Sequence, residues 1–121
     1  MVRRLMFAVA LLSVTAACGS DNAPVTTPSS GSPGGPSISI VSGATGLTTT
    51  AYSPNPQTIT RGSTVTFINN DATTHTATSS GVFDTGFIAP GGRASVTLQN
   101  AGSITYRCTL HPNMTGTITV Q

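Results

Sequence analysis

Seven residues, Cys108-Thr-Leu-His-Pro-Asn-Met114, carry a thiol, an imidazole and a thioether at intervals of three. One tight loop with that spacing can turn all three donor atoms toward a common point. Thiolate and thioether favour Cu(I) and imidazole suits either oxidation state. Two histidines and a cysteine in a trigonal set with a weak axial methionine define an electron-transfer copper site. Such a set needs one more histidine. The chain contains only His75 and His111, and His75 stands 33 residues before Cys108, near the end of a strand-like run.

Taken singly, each donor has an ordinary explanation. A free cysteine packs as a small hydrophobe and a methionine fills core gaps; a loop histidine is commonly a solvated surface residue. Their joint occurrence as C-x2-H-x2-M between two strand patterns is hard to explain by packing. Pro112 restricts His111 to extended backbone and stiffens the loop. His75 must come from a different strand or its connection, so the scaffold has to bring it to the three-donor loop.

Composition narrows the class of protein. At 121 residues, minus a leader and a linker, there is room for one small domain. Charged residues are 7% of the chain, lysine and glutamate are absent, and Thr, Ser and Gly dominate, which favours strands and turns over helices. Beyond Cys18, Arg61, Arg93 and Arg107 balance Asp21, Asp71 and Asp84. Three scattered arginines give no basic face, which excludes nucleic-acid binding.

Met1-Val-Arg-Arg4 and the apolar run from Leu5 to Val14 form a basic start and a stretch too brief to span a bilayer. Residues 1–17 are therefore expected to be an export signal. Thr15-Ala-Ala-Cys18 resembles a bacterial lipobox with Thr15 in place of the usual aliphatic residue, and implies a lipid anchor at Cys18 and a place in the periplasm or on the cell surface. Residues 19–36, rich in Ser, Pro and Gly, read as a disordered tether with an end-to-end distance on the order of 23 Å. If Cys18 is lipidated or lies apart on the tether, Cys108 has no disulfide partner. A lone thiol in an oxidising compartment is protected when it binds a metal.

Residues 37–121 alternate apolar and hydroxyl side chains. Ile38 and Ile40, Ile59, Val65 and Phe67, Val96 and Leu98, Ile104, Tyr106 and Cys108, and Ile118 and Val120 keep one parity within each run. This is the signature of half-buried antiparallel strands. Turn signals fall at Ser53-Pro-Asn-Pro56, Arg61-Gly62, Asn69-Asn-Asp71, Ser79-Ser-Gly81, Pro90-Gly-Gly92 and Asn100-Ala-Gly102. The pattern predicts an all-β domain, a Greek-key β-sandwich of seven to eight strands with no helix.

Phe67-Ile-Asn-Asn-Asp71 leading to His75, Phe83-Asp-Thr-Gly-Phe-Ile-Ala-Pro-Gly91, and the run from Ala101 to Gly116 together resemble a cupredoxin of the plastocyanin/amicyanin type, over the whole of residues 37–121. The short C-x2-H-x2-M loop is more similar to amicyanin than to plastocyanin, whose His-to-Met spacing is longer. The resemblance implies one type 1 copper ion with His75, Cys108 and His111 as equatorial ligands and Met114 as the axial one. Where plastocyanin-like members often have Pro before and Asn after the first ligand histidine, this chain has Thr74 and Thr76. Thr76 then offers its hydroxyl in place of the hydrogen bond that Asn supplies.

The expected function is one-electron transfer through the exposed edge of His111 to a redox protein such as a c-type cytochrome or a copper or quinone enzyme. Leu110, Pro112 and the Ala89-Pro-Gly-Gly92 turn would form the contact patch on a monomeric protein. The rival reading is a periplasmic or cell-surface copper-binding or delivery protein; a metal-free adhesive sandwich is a third. Enzymatic activity is not expected, because four donors leave no open metal position and no other cluster of His, Cys or paired carboxylates exists in the sequence.

Overall fold

Serine and threonine alternating with isoleucine, valine and phenylalanine give each segment one face to bury and one to leave in water. In the computed structural model, which describes residues 34–121, these segments form nine strands. They are β1 (Ser37–Ile40), β2 (Tyr52–Ser53), β3 (Gln57–Ile59), β4 (Thr64–Asn69), β5 (Thr78–Ser79), β6 (Phe83–Asp84), β7 (Arg93–Thr97), β8 (Gly102–Arg107) and β9 (Thr115–Val120). The expected export signal, Cys18 and the tether as far as residue 33 lie outside the described residues. The last of the tether residues already belong to the domain: the Pro36 carbonyl accepts a hydrogen bond from the Thr66 N–H at 3.0 Å.

One sheet has the order β2-β1-β4-β7 and the other β3-β9-β8-β5-β6. Two expectations are corrected here. There are nine strands rather than seven to eight, because β2, β5 and β6 have two residues each and leave no periodic trace. Nor is every pairing antiparallel: β1 lies parallel to β4, and β3 parallel to β9. Period two reports which face is buried and is silent about the direction of a neighbour. No α-helix occurs among the described residues; Ala44–Gly46 form one short 3-10 turn.

Ile38, Ile40, Val65 and Phe67 from the first sheet meet Ile59, Tyr106, Ile118 and Val120 from the second in one buried cluster. At its centre the Tyr106 ring lies edge-on to Tyr52 at 4.8 Å and to Phe67 at 5.4 Å between centroids. Such contacts contribute about 0.5–1.5 kcal/mol each beyond the area they bury. Because Tyr106 and Cys108 share a parity, the ring that anchors β8 also commits the Cys108 thiol to the interior, where both are buried.

Gly116 on β9 pairs with Tyr106 on β8. A Cβ built at Gly116 would overlap Cζ and Oη of Tyr106, so glycine is required there by the closeness of the ring. Gly116→Ala is expected to lower the stability of the metal-free protein by about 1–3 kcal/mol, the usual cost of overpacking. Urea denaturation followed by tyrosine fluorescence measures the loss; an unchanged midpoint would contradict the packing.

Candidate metal centre

The loop after β4 is held by Asn69. Its buried side-chain amide donates to the carbonyls of Thr73 and Ile88, both at 2.8 Å, and its own N–H bonds the Gly92 carbonyl at 2.9 Å. Beyond this clamp, His75 exchanges two backbone hydrogen bonds with Ile88, at 3.2 and 2.8 Å. A five-residue excursion thereby ends with the His75 ring fixed and fully buried. The ring's Nε2 lies 2.7 Å from Oδ2 of Asp71.

Cys108 leaves the end of β8 and His111 and Met114 follow in a closed loop. The Cys108 N–H donates to the Met114 carbonyl and the Met114 N–H to the His111 carbonyl, each at 3.0 Å. β9 begins at once after Met114, and Asn55 holds that start: its side chain donates to the Thr115 carbonyl at 3.1 Å and accepts from the Thr117 N–H at 2.9 Å. Cys108 and Met114 are buried, His111 is half-buried, and Leu110 and Pro112 are exposed.

Three of the four expected donors are shown converging. Cys108 Sγ lies 3.7 Å from His75 Nδ1 and 3.8 Å from His111 Nδ1, and the two Nδ1 atoms are 3.2 Å apart. The point equidistant from all three is about 2.1 Å from each, which matches metal bonds of about 2.0–2.1 Å to imidazole nitrogen and about 2.3 Å to thiolate sulfur. A first-row metal ion therefore fits the triangle without movement of the chain. Donor chemistry favours copper, since thiolate and thioether are soft ligands and imidazole suits copper as well. Met114 is fully buried at the end of the same loop.

Thr76 ties the two segments together. Its N–H points at Cys108 Sγ at 3.4 Å, and its hydroxyl oxygen accepts from the Thr109 N–H at 2.9 Å while contacting the hydroxyls of Thr109 and Thr78. Its carbonyl accepts from the Tyr52 hydroxyl at 2.6 Å. The hydroxyl thus fills the place expected of it. Burial, with the nearby Cys108 and Tyr106 adding to it, pushes the Tyr52 phenol well above its ordinary range. Asp71 behaves oppositely: the hydrogen bond from the His75 ring, then those from the Gly43 and Ala72 N–H groups, hold its carboxyl below the usual range against the effect of burial.

The cupredoxin-like domain profile matches residues 6–120. The chain is a member of the cupredoxin-like family. Among solved structures, this cupredoxin is similar to a purple cupredoxin from Nitrosopumilus maritimus at 29% identity and a TM-score of 0.67, covering 71% of this chain and 99% of that one. It is also similar to two amicyanin variants at 25% identity, covering 76% of this chain and 87% of theirs. One is a proline-to-glycine variant in the reduced Cu(I) form at pH 4, with a TM-score of 0.62, and the other a reduced tryptophan-to-tyrosine variant, with a TM-score of 0.63. No match is found among curated protein sequences.

Sequence reasoning missed Asp71 as part of the site and read it only within a turn. A usable signal was present: it is one of only three acidic residues in the chain and stands four before the upstream histidine. Tyr52 gave no such signal, since its bond to Thr76 spans two segments 24 residues apart.

Replacing Thr76 with Val keeps the shape and removes the acceptor of the Thr109 N–H. An unpaired buried donor costs about 1–3 kcal/mol, and this bond is part-buried, so the lower end of about 1 kcal/mol applies. Chemical denaturation of metal-free Thr76→Val is expected to show a loss of that size, and no loss would mean that water or another group satisfies Thr109.

Proposed function

We propose that this cupredoxin is a one-electron carrier with a type 1 copper site held by Nδ1 of His75, Sγ of Cys108 and Nδ1 of His111, with the Met114 thioether as a weaker axial donor. The observation that carries the reading is the donor triangle, whose centre lies about 2.1 Å from each of three atoms, a metal–ligand bond length. When bound, copper supplies the Cu(II)/Cu(I) couple. The chain's part is to keep the donors still, exclude water and offer one route in and out for the electron. His75 and Cys108 are fully buried and His111 is half-buried, so the His111 ring is the edge through which a partner makes contact.

Burial also supports this reading over copper delivery. Handing the ion to an acceptor requires incoming ligands to replace donors one at a time, and two of the three converging donors are sealed from solvent. The four donors likewise leave no position for a substrate, and we infer no enzymatic activity. The docking patch is proposed to consist of exposed Leu110 and Pro112 with the turn at residues 89–92. Among the described residues the formal charges are Arg61, Arg93 and Arg107 against Asp71 and Asp84, so long-range steering of a partner is weak. A monomer exported to the periplasm or cell surface, held through Cys18 and serving a redox protein such as a c-type cytochrome or a copper or quinone enzyme, completes the proposal.

Adding Cu(II) to purified residues 19–121 is expected to produce the intense visible band of a copper–thiolate bond. Cys108→Ser should abolish it, whereas Met114→Leu should keep the colour and shift the reduction potential. A colourless wild-type complex would overturn the assignment. The rate of electron exchange with a redox partner should change little as salt is raised; a steep fall would contradict docking through an apolar patch.

A further inference from the structure

Asp71 is a buried carboxylate that turns one oxygen to backbone amides and the other to the histidine of the site. Oδ1 accepts from the Gly43 and Ala72 N–H groups, both at 2.9 Å. Oδ2 is left to face His75 Nε2 at 2.7 Å. No arginine lies within ion-pair distance of Asp71 among the described residues; its one ionic contact is with the His75 ring. The carboxylate itself is oriented by the Asp71 N–H bond to Asn69 Oδ1 at 2.9 Å, from the same side chain that clamps the loop.

An ionised carboxylate only accepts hydrogen bonds, and a neutral imidazole carries one N–H and one lone pair. Oδ2 therefore holds the proton on Nε2. The lone pair is left on Nδ1, the atom facing Cys108 Sγ and His111 Nδ1. We propose that Asp71 is a positioning residue that selects the metal-binding tautomer of His75 and, by placing an anion behind that ring, favours the more highly charged oxidation state of a bound copper. The second half rests on the copper reading given above; the first does not. Partners of this kind orient ligand histidines and raise their basicity.

Asp71→Asn tests it because the amide cannot serve both sides. Its oxygen is drawn to the two N–H donors of Gly43 and Ala72, which turns the NH2 toward Nε2. Nε2 must then accept, and the proton moves to Nδ1. Nitrogen-15 NMR of the metal-free protein at about pH 8, above the ordinary histidine range, reads the tautomer directly. Expected are an Nε2–H ring for His75 in the wild type, an Nδ1–H ring in Asp71→Asn, a fall in Cu(II) affinity of about 10–100-fold and a raised reduction potential.

An Nδ1–H ring in the wild type overturns the proposal, and that measurement decides the matter if Asp71→Asn does not fold. Asp71→Asn with an unchanged tautomer and unchanged Cu(II) affinity overturns it as well. Should the wild type bind no copper yet show the Nε2–H ring that Asp71→Asn reverses, the tautomer role stands and the electron-carrier reading falls.

Discussion

Everything at the metal pole depends on holding three polar atoms closer together than solvated side chains would choose to lie. Two imidazole nitrogens and a sulfur sit within 3.8 Å of one another although one comes from 33 and 36 residues before the other two. The restraint is distributed. Asn69 clamps the base of the upstream loop, the His75–Ile88 bridge fixes its tip, and the hydrogen bonds from Cys108 to Met114 and from Met114 to His111 close the downstream loop. Each is a backbone or buried side-chain bond, so slackening one leaves donors or acceptors unpaired in a dry interior. A scaffold of this kind limits how far ligands move when charge at the centre changes.

Thr76 and Asp71 divide the remaining work between the two sides of His75. Thr76 faces the sulfur, offers it an N–H and joins the Cys108 segment through the Thr109 N–H. Asp71 faces away from it and reaches only the far ring nitrogen and two backbone amides. One residue thus couples the two donor segments to each other, and the other couples the His75 ring to the surrounding backbone. The buried aromatic group of Tyr52, Phe67 and Tyr106 lies beneath both, and the Tyr52 hydroxyl links it to the Thr76 carbonyl.

Much of this was legible in the sequence, for a physical reason. Ile38 and Ile40, Val65 and Phe67, and Ile118 and Val120 bury one face each, and a face is what alternation encodes. The ligand loop was equally plain, since C-x2-H-x2-M places its donors within a few bonds of each other. Pairing direction was not legible, because β1 finds β4 and β3 finds β9 across long intervals and a strand carries no mark of its neighbour's polarity. The same limit hid the roles of Asn69 and Asp71. In a run of turn formers, a residue that merely reverses the chain and one that hydrogen-bonds a buried histidine have the same composition.

The parallel pairing of β1 with β4 fixes the end of the sheet at which the first strand begins. β4 runs from Thr64 toward Asn69, the end that carries the metal pole, and β1 runs the same way, with Ser37 opposite Thr66 and Ile40 opposite Asn69. β1 therefore begins at the end away from the metal pole, about 10 Å along the ladder from the Ile40–Asn69 pair at about 3.3 Å per residue. The rungs of the β1–β4 ladder and the Pro36–Thr66 bond tie that start to β4. The start of β1 and the loop that carries His75 thus lie at opposite ends of β4.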